Sequence, residues 1–548
     1  MKSINIIIVI IFIIVIAAIL RLIALDRFPA GFNADEAAIG YNAYSLLQTG
    51  KDEYGTTFPF VFKSFGDFKP GLYFYIVMPF VAILGLNEWA VRIPSALLGI
   101  ATVILIYFLA KEIFQSKKIG ILSAFLLAIS PWHIHFSRGG WETNAATFFV
   151  TLGVFLFIKG LKNWKFLFWS TVSFLASMYT YQSPRLIVPV LLIILFFLYR
   201  GKLISILRII ELKKTILWVA LLVLLTIPLV IQFISGTGST RFSGLSFLSD
   251  TGPIARINEL RGEHENLNRL DTKFIHNKLT SYGPEFLGHY LDHFKPDFLF
   301  INGDPIIRNK VPETGQFYLT LSLFLAVGLL GLINAKYEHK KLILAWILIA
   351  PAASSMTYQT PHALRALTLV IPLTLVIGYG AGLALGLLGK LGSLGKLGVL
   401  GLSLILTFEF VHYLESYYIH YPKRYPQAFE YGFKEMVQKL SKYEGEYNNV
   451  VITDRYDQSY ILVLFYKRYD PSYFQPQAVL SSRDKFNFGT VRSFDKYQFR
   501  SIDPKEIERG SKILFIGTEE EIPKDAKILD KVEFPNGKPA FIFAIKKD

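Results

Sequence analysis

Long apolar runs recur along most of this chain and limit the folds that it can adopt. After a run from Ile4 to Leu20, further runs of 16 to 26 residues follow as far as residue 414. A helix of about 20 apolar residues crosses the hydrocarbon core of a bilayer. Hydrophobic residues make up 52% of the 548 residues, which is too apolar for an ordinary soluble protein. The pattern predicts a polytopic α-helical membrane protein whose first run is an uncleaved span.

The charges between the runs predict the topology. Basic loops alternate with loops rich in aromatic, His, Pro and acidic residues, and basic loops remain in the cytoplasm. This alternation holds if the short run 71–86 is a re-entrant or interfacial helix in the first outer loop. We therefore expect about 11 crossings of the plasma membrane, with the N-terminus inside and the C-terminal domain outside. The expected spans are Ile4–Leu20, 90–110, 119–136, 143–160, 165–181, 184–199, 215–234, 316–334, 341–357, 363–388 and 396–414.

Composition and charge exclude several classes of function. The net charge of +15 comes largely from the loops between spans, so membrane topology explains it and no nucleic acid is expected. The chain has 0 Cys, which excludes disulfides, thiolate metal sites and cysteine nucleophiles. From about Tyr421 the composition is that of a soluble protein. We expect a membrane domain over 1–420, with an outer loop over 26–89, and a small α/β domain over 421–548.

The polar segment 27–70 carries the strongest candidate residues. Asp35 and Glu36 are adjacent acids between two apolar runs, a costly placement near a membrane that usually marks function. Desolvation makes a carboxylate more basic, so Asp35 is a candidate to take a proton from a hydroxyl; the alternative is a solvated acid or a helix N-cap. Asp67 is a candidate to orient an acceptor or to bind a divalent metal, and Lys69 is a candidate to face a phosphate. The alternative is that Asp67 and Lys69 form an ion pair with each other. Asp35, Glu36 and Asp67 are the predicted catalytic residues.

Other predicted outer loops supply candidate substrate-binding residues. Arg138 and Glu142 either pair at the i, i+4 spacing of a helix or contribute separately, in which case Arg138 holds the acids of the first loop or a phosphate. His362 and Arg365 would project from one face after a chain break at a proline and suit a lipid phosphate. Interfacial anchoring is the alternative for both. Arg185 is a further cation predicted at the same membrane level.

The sequence offers no assembled metal site, although a bound divalent metal remains open. His289 and His293 have the i, i+4 spacing of a ligand pair, but no third ligand is obvious nearby. A transporter or flippase of a lipid-linked saccharide is the alternative to an enzyme. It would need ionisable residues deep in the spans, and these are few.

An ordered set of segments resembles the dolichyl-phosphate-mannose–protein mannosyltransferases and the related bacterial aminoarabinose transferases of the C-type glycosyltransferase superfamily. The segments are Asp35-Glu36, Asp67-Phe-Lys69-Pro70, Glu88 to Gly99, Ser130 to Arg138 and Pro361 to Arg365. The resemblance covers roughly 1–415. Relatives often place an acid or His directly before the Lys-Pro, where this chain has Phe68.

The resemblance implies a membrane glycosyltransferase with a polyprenyl-phosphate-linked sugar donor, a hydroxyl acceptor (protein, lipid or glycan) and membrane lipid as partners. It also implies an inverting single displacement with an acid of the first outer loop as base, a position that Asp35 matches. The expected substrate-binding residues are Lys69, Arg138, Glu142, Arg185, His362 and Arg365.

Overall fold

The computed structural model of the chain describes residues 3–235, 246–264, 270–482, 489–509 and 512–546 and is mainly helical. Its α-helices are α1 Ser3–Leu22, α2 Ala34–Thr49, α3 Leu72–Leu84, α4 Glu88–Phe114, α5 Lys117–Ile129, α6 Pro131–Arg138, α7 Glu142–Gly160, α8 Lys165–Thr180, α9 Pro184–Ile209, α10 Leu212–Ile234, α11 Gly252–Gly262, α12 Leu270–Ile275, α13 Lys278–Asp292, α14 Thr320–Asn334, α15 Lys340–Ile349, α16 Ala352–Ser355, α17 Val370–Gly389, α18 Gly392–Glu415, α19 Tyr421–Arg424, α20 Phe433–Tyr443, α21 Ser459–Lys467, α22 Pro471–Gln477 and α23 Pro504–Arg509. Its strands are β1 Val61–Ser64, β2 Asp67–Pro70, β3 Asn449–Ile452, β4 Val479–Leu480, β5 Val491–Phe494, β6 Tyr497–Phe499, β7 Ile513–Gly517, β8 Lys527–Glu533 and β9 Pro539–Ile545.

Several of these helices are long and apolar enough to cross a membrane, so the chain is a polytopic membrane protein. Within the described residues, 6 single helices meet that criterion, and a pair bent by 56°, α5 with α6, makes up to 7. Shorter apolar helices include α3, which covers the run expected to be re-entrant. The count of about 11 crossings stays a prediction. The single helices are Glu88–Phe114, Glu142–Gly160, Pro184–Ile209, Lys213–Ile234, Leu367–Gly389 and Gly392–Arg424.

Loops predicted to share a membrane side contact each other. Among the basic loops, Glu112 forms ion pairs with Lys159 at 2.7 Å and with Lys162 at 2.5 Å. Lys202 pairs with Glu338 at 2.5 Å. Among the predicted outer loops, Trp132 Nε1 donates to the carbonyl oxygen of residue 363 at 3.0 Å, and Ser183 Oγ donates to that of residue 365 at 3.0 Å. Each of these contacts joins two loops that the charge pattern places on the same side; the topology itself stays a prediction.

The described chain forms two compact units. The first comprises Met1–Ile10, Thr102–His133 and Ala146–Glu409, and the second comprises Ile11–Ala101, Ile134–Ala145 and Phe410–Asp548. In the first unit, α14 and α17 approach closely because Gly380 has no side chain: a β-carbon there would overlap the carbonyl oxygen of Phe324. Such small residues allow close helix packing where lipid supplies no hydrophobic driving force. The predicted outer loop 235–315 includes 236–245 and 265–269, which lie outside the described residues.

The second unit holds a seven-stranded mixed sheet in the order β4-β5-β6-β3-β7-β9-β8. Strand β3 is parallel to β6 and β7, and the other pairs are antiparallel. Side chains of β3 alternate between two apolar clusters, Val450 and Ile452 in one and Val451 in the other, as the two-residue strand period requires. The strands expected at Val450–Thr453, Lys512–Ile516 and Phe541–Ile545 and the helix expected near Gln458–Arg468 are all present. Residues 483–488, 510–511 and 547–548 of the predicted domain 421–548 lie outside the described residues.

The larger apolar cluster of the second unit positions the segment that carries the candidate acids. Helix α2 packs against α3 and α21, and its inner face is buried through Ala37, Ala38 and Tyr41. The hairpin β1–β2 pairs Phe62 with Lys69 in register. The helix and the hairpin therefore bring the two ends of the polar segment 27–70 into one unit.

Candidate active site

Helix α2 begins beside Asp35, and a capping box closes its first turn. The side chain of Asn33 accepts a hydrogen bond from Asp35 N at 2.6 Å, and Glu36 Oε2 accepts one from Asn33 N at 3.3 Å. These reciprocal bonds satisfy amide groups that a helix start leaves unpaired, and the helix dipole favours a carboxylate in the first turn. The capping therefore fixes Asp35, whose side chain is 32% exposed.

The adjacent acid, Glu36, has a different environment. It is fully buried, and Arg92 donates to both of its carboxylate oxygens, from Nε at 2.8 Å and from Nη2 at 2.9 Å. Gly140 N donates to Glu36 Oε1 at 2.8 Å. The ion pair and the amide thus occupy both oxygens of its carboxylate. The catalytic role expected of Glu36 stays a prediction.

Arg92, which the sequence reasoning did not single out, extends this arrangement to the chain before α2. Its Nη1 donates to the carbonyl oxygens of Leu25 at 3.0 Å and Pro29 at 3.2 Å, and its Nη2 donates to that of Gly31 at 2.7 Å. A guanidinium suits this task because its donors lie in a fixed plane. The motif that contains Arg92 was visible in the sequence, but its carbonyl partners were not.

Arg138 holds the same segment from a second direction. It is fully buried, its Nε donates to Tyr417 OH at 3.1 Å, and its guanidinium lies over the rings of Tyr417 and Tyr418. The guanidinium also donates to the backbone where α1 ends, a place with unpaired carbonyls. The carbonyl acceptors are those of Leu20 at 2.8 Å, Ile23 at 2.7 Å, Phe28 at 3.1 Å and Ala24 at 3.4 Å. The substrate-binding role expected of Arg138 stays a prediction.

Lys69 forms an ion pair with Asp35. Lys69 stands on β2, is 5% exposed and has its ammonium 5.5 Å from the centre of the Phe65 ring. The sequence left open whether Lys69 faces a phosphate or pairs with Asp67; the observed partner is Asp35, across the helix–hairpin contact. In this pair the lysine is nearly buried, while the side chain of Asp35 is 32% exposed.

Asp67 lies at the start of β2 and is also buried. It is 7% exposed, and its Oδ1 accepts a hydrogen bond from the amide of Phe68 at 2.7 Å. Strand β1 places Ser64 opposite it. The expected catalytic or metal-binding role of Asp67 stays a prediction.

Two further acids, Asp52 and Glu53, are buried after α2, and sequence reasoning missed them. Glu53 Oε1 accepts from Asn42 Nδ2 at 3.1 Å, and Glu53 Oε2 accepts from Tyr460 OH at 3.5 Å. Burial raises the pKa of Glu53 to about 8, against the opposing effect of the Asn42 hydrogen bond; the charge of Asp52 raises it further and that of Lys69 lowers it. Burial also raises the pKa of Asp52. A short polar segment gave no sign of this burial, because Tyr460 lies about 400 positions away.

Glu142 is the first residue of α7 and is 7% exposed. Its neighbour Asn144 donates from Nδ2 to Ser95 O at 2.8 Å and to Ser95 Oγ at 3.0 Å. These bonds fix the start of α7. The expected substrate-binding role of Glu142 stays a prediction.

The first unit has its own polar cluster around His362 and a buried acid, Asp304. Asp304 Oδ2 accepts from Ala363 N at 2.5 Å and from Asn309 Nδ2 at 3.1 Å, and it lies 3.8 Å from His362 Nδ1. Burial raises the pKa of Asp304 to about 6, although these hydrogen bonds oppose the rise. Asp304 therefore organises the loop that carries His362.

His293 belongs to the same cluster, and its hydrogen bonds define its tautomer. The amide of His362 donates a hydrogen bond to His293 Nε2 at 3.2 Å, so Nε2 is an acceptor. The same nitrogen also accepts a hydrogen bond from Ser354 Oγ at 2.8 Å. Nδ1 then carries the proton and donates to the carbonyl oxygen of His289 at 2.9 Å. Burial lowers the pKa of His293 to about 4, which keeps it neutral. In the described part of the chain, no group of three or more His, Cys, Asp and Glu side chains could hold a metal.

The two remaining expected cations, Arg365 and Arg185, also lie in the first unit. Arg365 Nη1 donates to Thr357 Oγ1 at 2.7 Å. Arg185 donates from Nη2 to Gln232 Oε1 at 2.8 Å and from Nε to the carbonyl oxygen of Met178 at 3.1 Å. Both lie near the ends of long apolar helices. Their expected phosphate-binding role stays a prediction.

Part of the sequence matches a known family. Residues 69–231 match the family model described as dolichyl-phosphate-mannose-protein mannosyltransferase. A stretch of 102 residues is 37% identical to an uncharacterised protein of Aquifex aeolicus (strain VF5), covering 18% of this chain and 20% of that protein. A stretch of 106 residues is 29% identical to a mannosyltransferase candidate, YkcB of Bacillus subtilis (strain 168), covering 19% of this chain and 14% of that protein. The chain therefore aligns with about a fifth or less of the length of these relatives.

The fold is similar to that of a solved membrane protein over nearly the whole chain. ArnT from Cupriavidus metallidurans bound to undecaprenyl phosphate superposes with a TM-score of 0.54, at 10% identity, covering 97% of both chains. The apo state of the same protein gives a TM-score of 0.53, at 10% identity, covering 98% of this chain and 97% of that one. At this identity the likeness establishes the fold.

The family match and the fold together confirm the resemblance predicted from the sequence: the chain is similar to membrane glycosyltransferases of the mannosyltransferase and ArnT type. The family model and one relative carry mannosyltransferase names, and one of the solved ArnT structures holds undecaprenyl phosphate.

Proposed function

We propose that the chain is an integral membrane glycosyltransferase that moves a sugar from a polyprenyl-phosphate donor to a hydroxyl acceptor on the outer face of the plasma membrane. The region 421–548 would lie outside, and the acceptor would be a protein, a lipid or a glycan. The transfer would invert the configuration of the sugar.

The observation that carries the proposal is the placement of Asp35. Its carboxylate stands in the first turn of α2, is partly exposed, and forms an ion pair with the buried Lys69. Its neighbour Glu36 is fully buried. An aspartate that is held by helix capping and by a lysine, with its side chain 32% exposed, is suited to act as a general base.

In the proposed step, the carboxylate of Asp35 takes the proton of the acceptor hydroxyl while the hydroxyl oxygen attacks the anomeric carbon. The bond from this carbon to the phosphate oxygen breaks, and its electron pair leaves with the polyprenyl phosphate. Attack on the face opposite the leaving group inverts the anomeric centre. The proton on Asp35 then passes to water, which restores the base.

The remaining roles follow from the contacts. The leaving phosphate develops negative charge, and cations stabilise such charge in the transition state; we assign this role to Arg185, His362 and Arg365. Arg92, Arg138 and Glu36 become positioning residues, because together they hold the carbonyls of residues 20–31 and the start of α2.

Donor consumption is the experiment that tests the proposal. Purified chain in lipid nanodiscs would receive radiolabelled polyprenyl-phosphate mannose, with and without a chelator. Release or transfer of labelled sugar is the expected result, and the chelator arm shows whether a divalent metal takes part. An intact donor that moves between the leaflets of proteoliposomes would contradict the proposal and establish a flippase.

A further inference from the structure

The second unit contains a large cavity beside the capped helix. It has a volume of about 1000 Å³, at the upper end of the size usual for small-molecule sites. Its walls come from residues 26–32, which precede α2, and from residues 418–438, which follow α18, with Glu88 and Tyr466 between them. Asp35 and Lys69 do not line it. The cavity is therefore a separate feature from the ion pair that carries the proposed base.

The two walls are held together by a close backbone contact. Gly31 has φ +104°, and a β-carbon there would overlap the carbonyl oxygen of Phe429. The carbonyl oxygen of Gly31 also accepts a hydrogen bond from the buried Arg92 at 2.7 Å. These contacts fix one wall of the cavity against the other.

One buried acid of the wall has a strained backbone. Glu430 is 5% exposed and adopts the left-handed conformation, with φ 45° and ψ 50°. This conformation costs a non-glycine residue about 1–2 kcal/mol, and such strain concentrates at ligand-binding positions. The fold therefore maintains a carboxylate in this wall at a cost.

The charges of the cavity do not suit an anionic ligand. The lining includes four acidic residues, Asp26, Glu88, Glu430 and Glu435, and three basic ones. Lys434 is paired with Glu88 at 2.9 Å, and Arg27 lies 3.9 Å from Asp26. Glu88 also accepts a hydrogen bond from Tyr466 OH at 3.1 Å, and Glu435 is paired at 3.1 Å with Lys439, which does not line the cavity. A phosphate is bound by cationic side chains that are not already neutralised by carboxylates. The charges of this wall therefore disfavour binding of the donor phosphate.

The same wall suits a saccharide. Carboxylates accept hydrogen bonds from hydroxyl groups, and aromatic side chains offer large apolar faces beside a polar tip. The cavity combines its acids with the rings of Phe28, Tyr418, Tyr431 and Tyr466. We infer that it binds the neutral, hydroxyl-rich saccharide portion of the acceptor. This inference rests on the proposed function, because it names the class of molecule that the proposed enzyme glycosylates.

Saturation-transfer difference NMR tests the inference on the full chain in nanodiscs. The probes are methyl α-mannopyranoside and methyl β-glucopyranoside, with inorganic phosphate as a separate ligand. We expect a glycoside to bind, and we expect Tyr431→Ala and Glu435→Gln each to weaken binding about fivefold. Matched controls are Tyr473→Ala and Glu519→Gln, which change exposed residues of the same types outside the cavity and should leave binding unchanged.

The outcomes separate this inference from the proposed function. Failure of both glycosides to bind, equal binding by Tyr431→Ala and wild type, or cavity-dependent binding of phosphate alone would each overturn it. Donor turnover in the same preparation would still stand as evidence for the transferase. Conversely, an Asp35→Asn variant that binds glycoside normally supports the cavity whatever its turnover.

Discussion

Lys69 and Asp35, separated by 34 positions in the sequence, form an ion pair that joins the second strand of a hairpin to the first turn of helix α2. The lysine is nearly buried, while the aspartate side chain stays 32% exposed. The carboxylate of Asp35 is thus partly exposed, and the buried ammonium of Lys69 holds it in place.

Replacing Lys69 should reduce transfer without removing the base itself. We expect Lys69→Met to lower kcat about 10- to 100-fold, because the carboxylate loses the cation that orients it, and Lys69→Arg to retain more activity. Initial rates with labelled donor measure the effect. Lys63→Met, on the neighbouring strand, is the control; equal kcat for Lys69→Met and wild type would contradict the assignment.

The buried pair of Glu36 and Arg92 should matter for stability. Glu36→Gln leaves a fully buried guanidinium without its counter-charge, and we expect a loss of about 3–5 kcal/mol in the free energy of unfolding. Denaturant titration in detergent measures it. Glu338→Gln removes one partner of an exposed pair, Lys202–Glu338, and should cost about 0–1 kcal/mol. If the two substitutions lowered the free energy of unfolding equally, burial of the Glu36–Arg92 pair would not determine its contribution to stability.

Glu53 should make stability depend on pH. Its pKa is raised from 4.5 to about 8, so between these values the folded chain holds a proton that the unfolded chain has lost. Stability therefore falls as pH rises through this window and levels off above about pH 8. The charged or titratable neighbours are Tyr41, Asp52, Tyr54, Lys69 and Tyr460.

Thermal unfolding, followed from about pH 5 to about pH 9, measures how stability depends on pH. Glu53→Gln should flatten the curve, because an amide does not titrate, while Glu519→Gln on an exposed site should leave it unchanged. Parallel curves for wild type and Glu53→Gln would show that another group causes the dependence.

Arg365 should act on donor binding. We expect Arg365→Gln to raise KM for the polyprenyl-phosphate donor about tenfold with a smaller change in kcat, because a charge-assisted bond to phosphate is lost. Arg256→Gln, at an exposed residue paired with Glu259, is the control. An unchanged donor KM would assign Arg365 to the structure of its loop instead, through Thr357.

The sequence predicted the membrane class and the C-terminal strands, because apolar runs and two-residue alternation are local signals. It did not predict which acid is exposed. Asp35 and Glu36 are neighbours with the same chemistry, and only the contact of Glu36 with Arg92, 56 positions away, separates them.

The partners of the other charged residues were beyond sequence reasoning for a related reason. Arg138 was expected near the first loop, and it is there, but it binds backbone carbonyls, which every residue carries and no sequence pattern marks. Glu53 lies in a segment that is polar enough to be solvated. Its burial depends on Tyr460, and long-range packing of this kind leaves no local signal.

The role of Asp35 as the catalytic base is best examined with the variant Asp35→Asn. Wild type and the exposed-site control Asp525→Asn should both be active on labelled donor and acceptor. We expect Asp35→Asn to fold normally and to lose transfer by about 10²-fold or more; turnover at the wild-type rate would show that another group is the base.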